Sequence, residues 1–184
     1  MATRASLIAN PETKPKVLAE SVGWIPLLWV PLMSSLDLAR IADCPYVQVD
    51  RREAIERYAR ATPFLATLFP ELDLAAVAVD FAGRLRHLKA KTIAIEFCDH
   101  FAMRPQIFFP CLTVAVAAIE AQDTKAKFVS PAIPTTNPFT GKSVKTKAMT
   151  FRTTRDILCH ALSLDPVSDD DDIMRDQLVG DLLI

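Results

Sequence analysis

The sequence predicts a single α+β domain in which a small, largely antiparallel sheet is covered by several helices. The chain has 184 residues, 51% of them hydrophobic, which is enough apolar material for one core without metals or disulfides. Strand-like segments occur near the N-terminus and between residues 125 and 151, whereas helical spacing dominates elsewhere. No repeat or change in composition divides the chain, so residues 1–184 are expected to form one globular domain.

The N-terminal part is predicted to contain a strand, an apolar segment and a short helix. Residues 2–9 are strand-like and end at an Asn-Pro turn signal. The apolar segment 24–33 contains two prolines and two tryptophans. Because the prolines exclude a regular helix, we expect an irregular or edge strand whose tryptophans fill the core. The segment is also too short to cross a bilayer. Ser35 is suited to cap the short helix that follows.

The middle of the chain is predicted to be helical. Asp50 and Glu53 resemble a capping box at the start of a helix. Pro63 is expected to end that helix and to begin a second, short one. Asp73 begins the clearest helix, because the apolar residues after it keep helical spacing. These residues are Leu74, Val77, Phe81, Leu85 and Leu88.

The second half of the chain mixes strands and helices. Residues 92–97 alternate like a strand, and a helix is expected after Pro110. A further helix is predicted to begin at Thr154. The last segment, residues 165–184, is predicted to be an acidic C-terminal helix that begins after Ser168.

A basic strand-turn-strand region is predicted at residues 124–152. No acidic residue lies between Asp123 and Asp156, and the basic residues there carry a local charge of +7. They are Lys125, Lys127, Lys142, Lys145, Lys147, Arg152 and Arg155. Lysines on an edge hairpin discourage aggregation, and aromatic residues for base stacking are sparse. Nucleic-acid binding through Lys142, Lys145 and Lys147 is therefore the less favoured alternative.

The tripeptide Gly141-Lys142-Ser143 matches the end of a nucleotide-binding P-loop. That motif requires another glycine five residues earlier, where this chain has Thr136. It also requires a following helix whose N-terminus meets the phosphates, but the residues after Ser143 alternate like a strand. We therefore interpret residues 137–142 as a turn rather than a nucleotide site.

Cysteine and histidine provide the only candidate catalytic groups. Cys98-Asp99-His100 and Cys159-His160 are neighbours in sequence, and neighbours on a strand or helix do not face each other. A catalytic arrangement would have to combine distant residues such as Cys98 and His160. The four cysteines lack short metal-binding spacing, which is typical of buried, reduced thiols in a cytoplasmic protein. Neither a metal nor a cofactor is expected.

Four consecutive aspartates mark the predicted partner-binding surface. Asp169, Asp170, Asp171 and Asp172 are followed by Asp176, whereas the whole chain carries a net charge of only −1. Carboxylates at a helix N-terminus are favourable, yet four in a row exceed what capping requires. An EF-hand is excluded because its glycine and closing glutamate are missing. The acidic residues therefore indicate binding to a basic protein.

Two short motifs carry a resemblance to known proteins. The opening Met1–Ser6, followed by Ile25-Pro-Leu-Leu-Trp29, resembles a group of small uncharacterised bacterial proteins. Asn137-Pro-Phe-Thr-Gly141 resembles a turn in bacterial proteins of toxin and immunity loci, although Lys142 stands where such turns often carry Glu. The resemblance covers about a tenth of the chain. It implies a cytoplasmic bacterial binding protein of the kind that neutralises a toxin, and it transfers no catalytic residue.

The sequence thus predicts a non-enzymatic protein-binding module, most concretely an immunity-type protein that binds a basic toxin domain. The alternative is a small enzyme that uses a cysteine or histidine on an unknown substrate. No membrane partner is expected, and nucleic acid is disfavoured. Self-association through the apolar end, Leu182-Leu183-Ile184, stays open.

Overall fold

The computed structural model describes residues 4–39, 46–97, 105–132, 134–136, 143–145, 147–164 and 177–182. The strands are β1 (Arg4–Ala9), β2 (Lys16–Val22), β3 (Tyr46–Asp50), β4 (Thr92–Glu96), β5 (Phe128–Val129), β6 (Pro134–Thr136), β7 (Ser143–Lys145), β8 (Thr150–Phe151) and β9 (Asp181–Leu182). The α-helices with assigned bounds are α1 (Ser35–Ala39), α2 (Arg51–Leu68), α3 (Leu74–His87), α4 (Pro105–Glu120) and α5 (Thr154–Leu162). A 3₁₀ helix spans Leu27–Leu32, and residues 177–179 are helical.

The main sheet confirms the predicted α+β class. Its five strands have the order β3-β4-β1-β2-β9, and every neighbouring pair is antiparallel. Leu7 in β1 lies opposite Ile95 in β4 and Ala19 in β2. All three side chains are buried. The centre of the sheet is therefore part of the core, which also contains the large side chains of Trp29, Phe69, Phe81 and Phe97.

The predicted location of the sheet is only partly right. The N-terminal strand belongs to it, but the 125–151 region does not. There β5 pairs with β8 and β6 pairs with β7, each as a separate two-stranded ribbon. The main sheet is completed instead by β2, which follows β1 directly, and by β3, β4 and β9 from more distant parts of the chain.

Three predictions that relied on proline were wrong. The apolar segment is not a strand, because Leu27–Leu32 forms a buried 3₁₀ helix that includes Pro31. Pro63 does not end a helix: α2 runs through it, since the same face of the helix continues to bury Phe64, Leu65 and Leu68. Pro110 lies within α4, which begins at Pro105. In each case tertiary packing outweighs the local preference of proline.

Caps at other helices agree with the sequence. Asp50 accepts hydrogen bonds from the backbone N–H groups of Arg52 and Glu53, at 2.8 and 3.2 Å. Asp73 is the N-cap of α3. The predicted helix near Thr154 forms with Thr153 as its cap, since the Thr153 hydroxyl accepts from the N–H of Asp156 at 3.1 Å.

The C-terminal helix does not extend as far as predicted. Residues 177–179 are helical, but Asp181–Leu182 is a strand at the edge of the main sheet. The helix ends before Gly180, whose φ of 72° is a left-handed conformation. The predicted turn at 137–142 lies outside the described residues.

Candidate functional site

The structure does not describe the predicted partner-binding residues, but it describes the residues on both sides of them. Asp169–Asp172 and Asp176 lie outside the described residues. They belong to residues 165–176, here called the acidic segment. This segment contains six aspartates and one arginine, a charge of −5, so the other residues together carry +4 of the net −1. The acidic segment is therefore strongly negative, whereas the rest of the chain has a net positive charge.

Both flanks of the acidic segment are fixed to one short stretch of chain. On the N-terminal side, the backbone N–H of Ile25 donates to the carbonyl of Leu162, the last residue of α5, at 3.0 Å. On the C-terminal side, Trp29 Nε1 donates to the carbonyl of Val179 at 2.9 Å. Ile25, Trp29 and Leu162 are fully buried, and Val179 is nearly so. One described residue on each side of the acidic segment, Leu162 and Val179, therefore bonds to Ile25–Trp29.

Gly180 makes the C-terminal side especially tight. A Cβ atom on this residue would lie 2.7 Å from the carbonyl oxygen of Glu20 and 3.1 Å from Trp29 Cζ2. Directly after it, Asp181 pairs with Glu20 in β2. The positive φ and the close approach each require glycine. We call Ile25–Trp29, together with Leu162, Val179 and Gly180, the C-terminal anchor.

The described thiols do not have the properties of nucleophiles. Burial raises the pKa of the Cys111 thiol to about 12, and its Sγ donates to the carbonyl of Ile157 at 3.6 Å. Burial also raises the pKa of Cys159, although the nearby Arg155 charge opposes the shift. A thiol with a raised pKa is almost entirely protonated at neutral pH, and the thiolate is the reactive form. The predicted candidates Cys98, Asp99 and His100 lie outside the described residues.

His160 is held against an aromatic ring. Its imidazole stacks on Phe151 with 4.6 Å between ring centroids, and Phe151 in turn stacks on Phe128 at 6.3 Å. The three rings join α5 to the β5–β8 ribbon. This packing supports a structural role for His160.

The basic region divides into exposed and engaged residues. Lys125, Lys127, Lys147 and Arg152 are exposed. Arg155, in contrast, is held by Glu71, with Nη2 2.5 Å from Oε1, and its guanidinium lies 5.1 Å from the centre of the Phe69 ring. The side chains of Lys142 and Lys145 lie outside the described residues. Among the described residues, the +7 charge inferred from sequence is thus reduced by at least one ion pair.

A cleft that the sequence did not reveal lies between the 3₁₀ helix, α2 and α4. Its volume is 330 Å³. Its apolar wall consists of Val30, Pro31, Met33, Ala61, Val116 and Ile119, and its polar side chains are Arg57, Arg60, Glu120 and Gln122. We call it the arginine cleft. Arg57, Arg60 and Ala61 occur at the spacing of one helical face, which is the only sequence signal that could have indicated it.

Two of the four polar side chains in the arginine cleft are fixed within the protein. Arg57 Nη1 lies 2.6 Å from Asp37 Oδ2, and its Nη2 lies 3.0 Å from Glu53 Oε2. Glu120 accepts from Ser35 through both oxygens, at 3.2 Å from the backbone N and 2.5 Å from Oγ. Arg60 is exposed and makes no hydrogen bond or ion pair with any residue that the structure describes. Its guanidinium is therefore open to an external partner.

Within the described part of the chain, no group of three or more His, Cys, Asp or Glu residues could hold a metal ion. Over the same residues, no helix combines the length and apolar character needed to cross a membrane. No protein-family model matches the sequence, and no curated protein or solved structure shows significant similarity to it. The resemblance to bacterial toxin and immunity loci therefore stays a prediction.

Proposed function

We propose that this chain is a non-enzymatic, cytoplasmic protein-binding module, most concretely an immunity-type inhibitor that presents its acidic segment to a basic partner such as a toxin domain. The observation that carries the proposal is the C-terminal anchor. It holds the two flanks of a segment of charge −5 on the same buried stretch, Ile25–Trp29.

The anchor favours binding through chain entropy. A segment that is tied at both flanks samples fewer arrangements than a free tail of equal length. Less freedom then has to be lost when a partner binds, so more of the interaction energy remains as affinity. On the C-terminal side the anchor consists of a buried tryptophan hydrogen bond and a glycine that has no room for a side chain.

The charge distribution determines the chemistry of the partner. A surface with several carboxylates attracts a protein with a basic cleft, speeds its association and repels acidic proteins. Because the rest of the chain is positive, the attraction is concentrated in one place. Covering the substrate cleft of a basic toxin would be sufficient for inhibition, and no catalytic group is needed.

The test compares two variants that remove the same charge at different places. The first changes Asp169, Asp170, Asp171 and Asp172 to Asn. The matched control, Glu12→Gln, Glu56→Gln, Asp73→Asn and Asp80→Asn, neutralises four exposed carboxylates elsewhere. Tagged wild type and both variants are used to capture partners from the cells that produce the protein. Dissociation constants for the purified partner are then measured at low and high salt.

We expect one stoichiometric basic partner, bound by wild type and by the control. The acidic-segment variant should bind at least about tenfold more weakly at low salt, and the difference should shrink as salt increases. The proposal is wrong if no partner is captured, or if both variants bind it as tightly as wild type.

A further inference from the structure

We propose that the arginine cleft is a binding site for a small carboxylate with an apolar body, and that Arg60 receives the carboxylate group. The inference is independent of the acidic segment and goes beyond the proposed function. It assigns a ligand class to a cavity formed by three elements of the core.

The walls of the arginine cleft fit an apolar body. Val30, Met33, Val116 and Ile119 are core residues with 0% to 5% exposure, so they form the floor of the cleft and only a small part of each side chain faces it. Its volume of 330 Å³ is at the lower end of the range for ligand cavities, roughly 300–1,000 Å³. The body of the ligand must therefore be small, comparable to a branched aliphatic chain.

The two arginines of the cleft have different roles. Arg57 is surrounded by Asp37 and Glu53 and also donates to the carbonyl of Leu32 at 3.4 Å. Its side chain is 21% exposed and holds α2 against the preceding segment. Arg60, one turn further along α2, has none of these contacts with described residues. A guanidinium presents parallel N–H donors that match the two oxygens of a carboxylate.

The surrounding acids favour a monoanion over a dianion. Glu120 lines the cleft, and Asp37 and Glu53 neutralise Arg57. Of the charged side chains that line the cleft, Arg60 and Glu120 form no ion pair with described residues, and the Glu120 carboxylate is held by Ser35. A phosphate ester with two charges would be repelled by Glu120 more strongly than a carboxylate. A ligand with one negative charge beside Arg60 is therefore repelled less than a dianion.

Gln122 adds a polar side chain to the lining of the cleft. It follows α4 in a left-handed conformation with φ of 53°, and its N–H donates to Ile119 while that of Asp123 donates to Ala118, at 3.1 and 2.9 Å. This is the position where a helix end favours glycine or asparagine. A glutamine there is strained, yet its side chain lines the cleft.

The experiment measures binding of 4-methylpentanoate to the full chain by ligand-observed NMR and calorimetry. The neutral amide of the same acid and the phosphate ester of 3-methylbutanol are the comparison probes. Arg60→Met removes the guanidinium and keeps an apolar side chain of comparable reach. Arg52→Met is the matched control, because Arg52 is exposed on the same helix but does not line the cleft. Ala61→Phe fills the cleft directly, and thermal unfolding verifies that each variant is folded.

We expect wild type and Arg52→Met to bind the acid equally, with the amide and the phosphate ester at least about tenfold weaker. Arg60→Met should weaken the acid by a similar factor, and Ala61→Phe should abolish binding. The proposal is overturned if wild type does not bind the acid, if the amide or phosphate ester binds as well, or if Arg60→Met binds like wild type.

Discussion

The buried stretch from Ile25 to Met33 contributes to two regions that differ in how completely they are filled. Its first half belongs to the C-terminal anchor, where Trp29 is fully buried and Gly180 leaves no room for a methyl group. Its second half lines the arginine cleft, where 330 Å³ stays open and Arg60 has no partner among the described residues. The close packing of the anchor stabilises the fold. The open cavity of the cleft contributes less to stability, but it leaves room for a ligand beside an arginine without an ion pair.

The largest expected effect comes from filling the anchor. Gly180→Ala should lower the free energy of unfolding by roughly 2–4 kcal/mol, because the methyl group meets the Glu20 carbonyl and the left-handed backbone is strained. Gly83→Ala is the control. Gly83 lies inside α3, and a Cβ atom on it would meet no atom within 4 Å, so alanine should stabilise by up to about 1 kcal/mol. Urea unfolding of both variants measures the contrast, and equal stabilities would mean that the anchor is not tight.

The two tryptophans test whether the anchor depends on one hydrogen bond. Trp29→Phe leaves the buried carbonyl of Val179 without its donor and should cost about 1–3 kcal/mol. Trp24 Nε1 is also buried but has no hydrogen-bond partner among the described residues. Trp24→Phe therefore removes an unsatisfied donor and should cost less. The difference in unfolding free energy between the two variants is the measurement, and a larger loss for Trp24→Phe would contradict the assignment.

How far the sequence predicts this structure depends on the range of the interactions. The helix that begins after Asp73 and the cap at Asp50 were predicted correctly, because both depend on residues within one or two turns. Strand β9 could not be predicted, since two residues acquire strand conformation only by pairing with β2 about 160 positions earlier. The 3₁₀ helix at Leu27–Leu32 was missed for the same reason: its burial, rather than its prolines, determines its conformation.

In the candidate site, too, short-range features were predictable from the sequence and long-range contacts were not. The acidic segment is visible as four consecutive aspartates, but the sequence does not indicate that both of its flanks contact Ile25–Trp29. In the arginine cleft, Glu53 and Arg57 are readable as a pair four residues apart. The contacts from Arg57 to Asp37 and from Glu120 to Ser35 cross 20 and 85 positions, and no periodicity reveals them.

The interface of α4 and α5 joins the two regions. The buried thiol of Cys111 in α4 should make the stability of the protein depend on pH. The thiol ionises near pH 9.0 when exposed, but burial raises its pKa to about 12 in the folded protein. Between these values the unfolded state loses the proton first, so stability falls as pH rises. From pH 8 to 10 wild type should lose about 1.4 kcal/mol more than Cys111→Ala. Urea unfolding at both pH values measures this difference, and parallel pH dependences would show that Cys111 is not buried.

The smallest expected effect separates stability from binding in the arginine cleft. Gln122→Gly relieves a left-handed backbone and should stabilise the protein by about 0.5–1 kcal/mol, while weakening 4-methylpentanoate because the cleft loses an amide. Ser163→Gly is the control, since Ser163 ends α5 with φ of 59° and does not line the cleft. It should stabilise equally and leave binding unchanged. Thermal unfolding and calorimetry of the two variants provide both readings. If Gln122→Gly gains stability without losing affinity, the strain at Gln122 belongs to the helix end alone, and the ligand is held by Arg60 and the apolar wall.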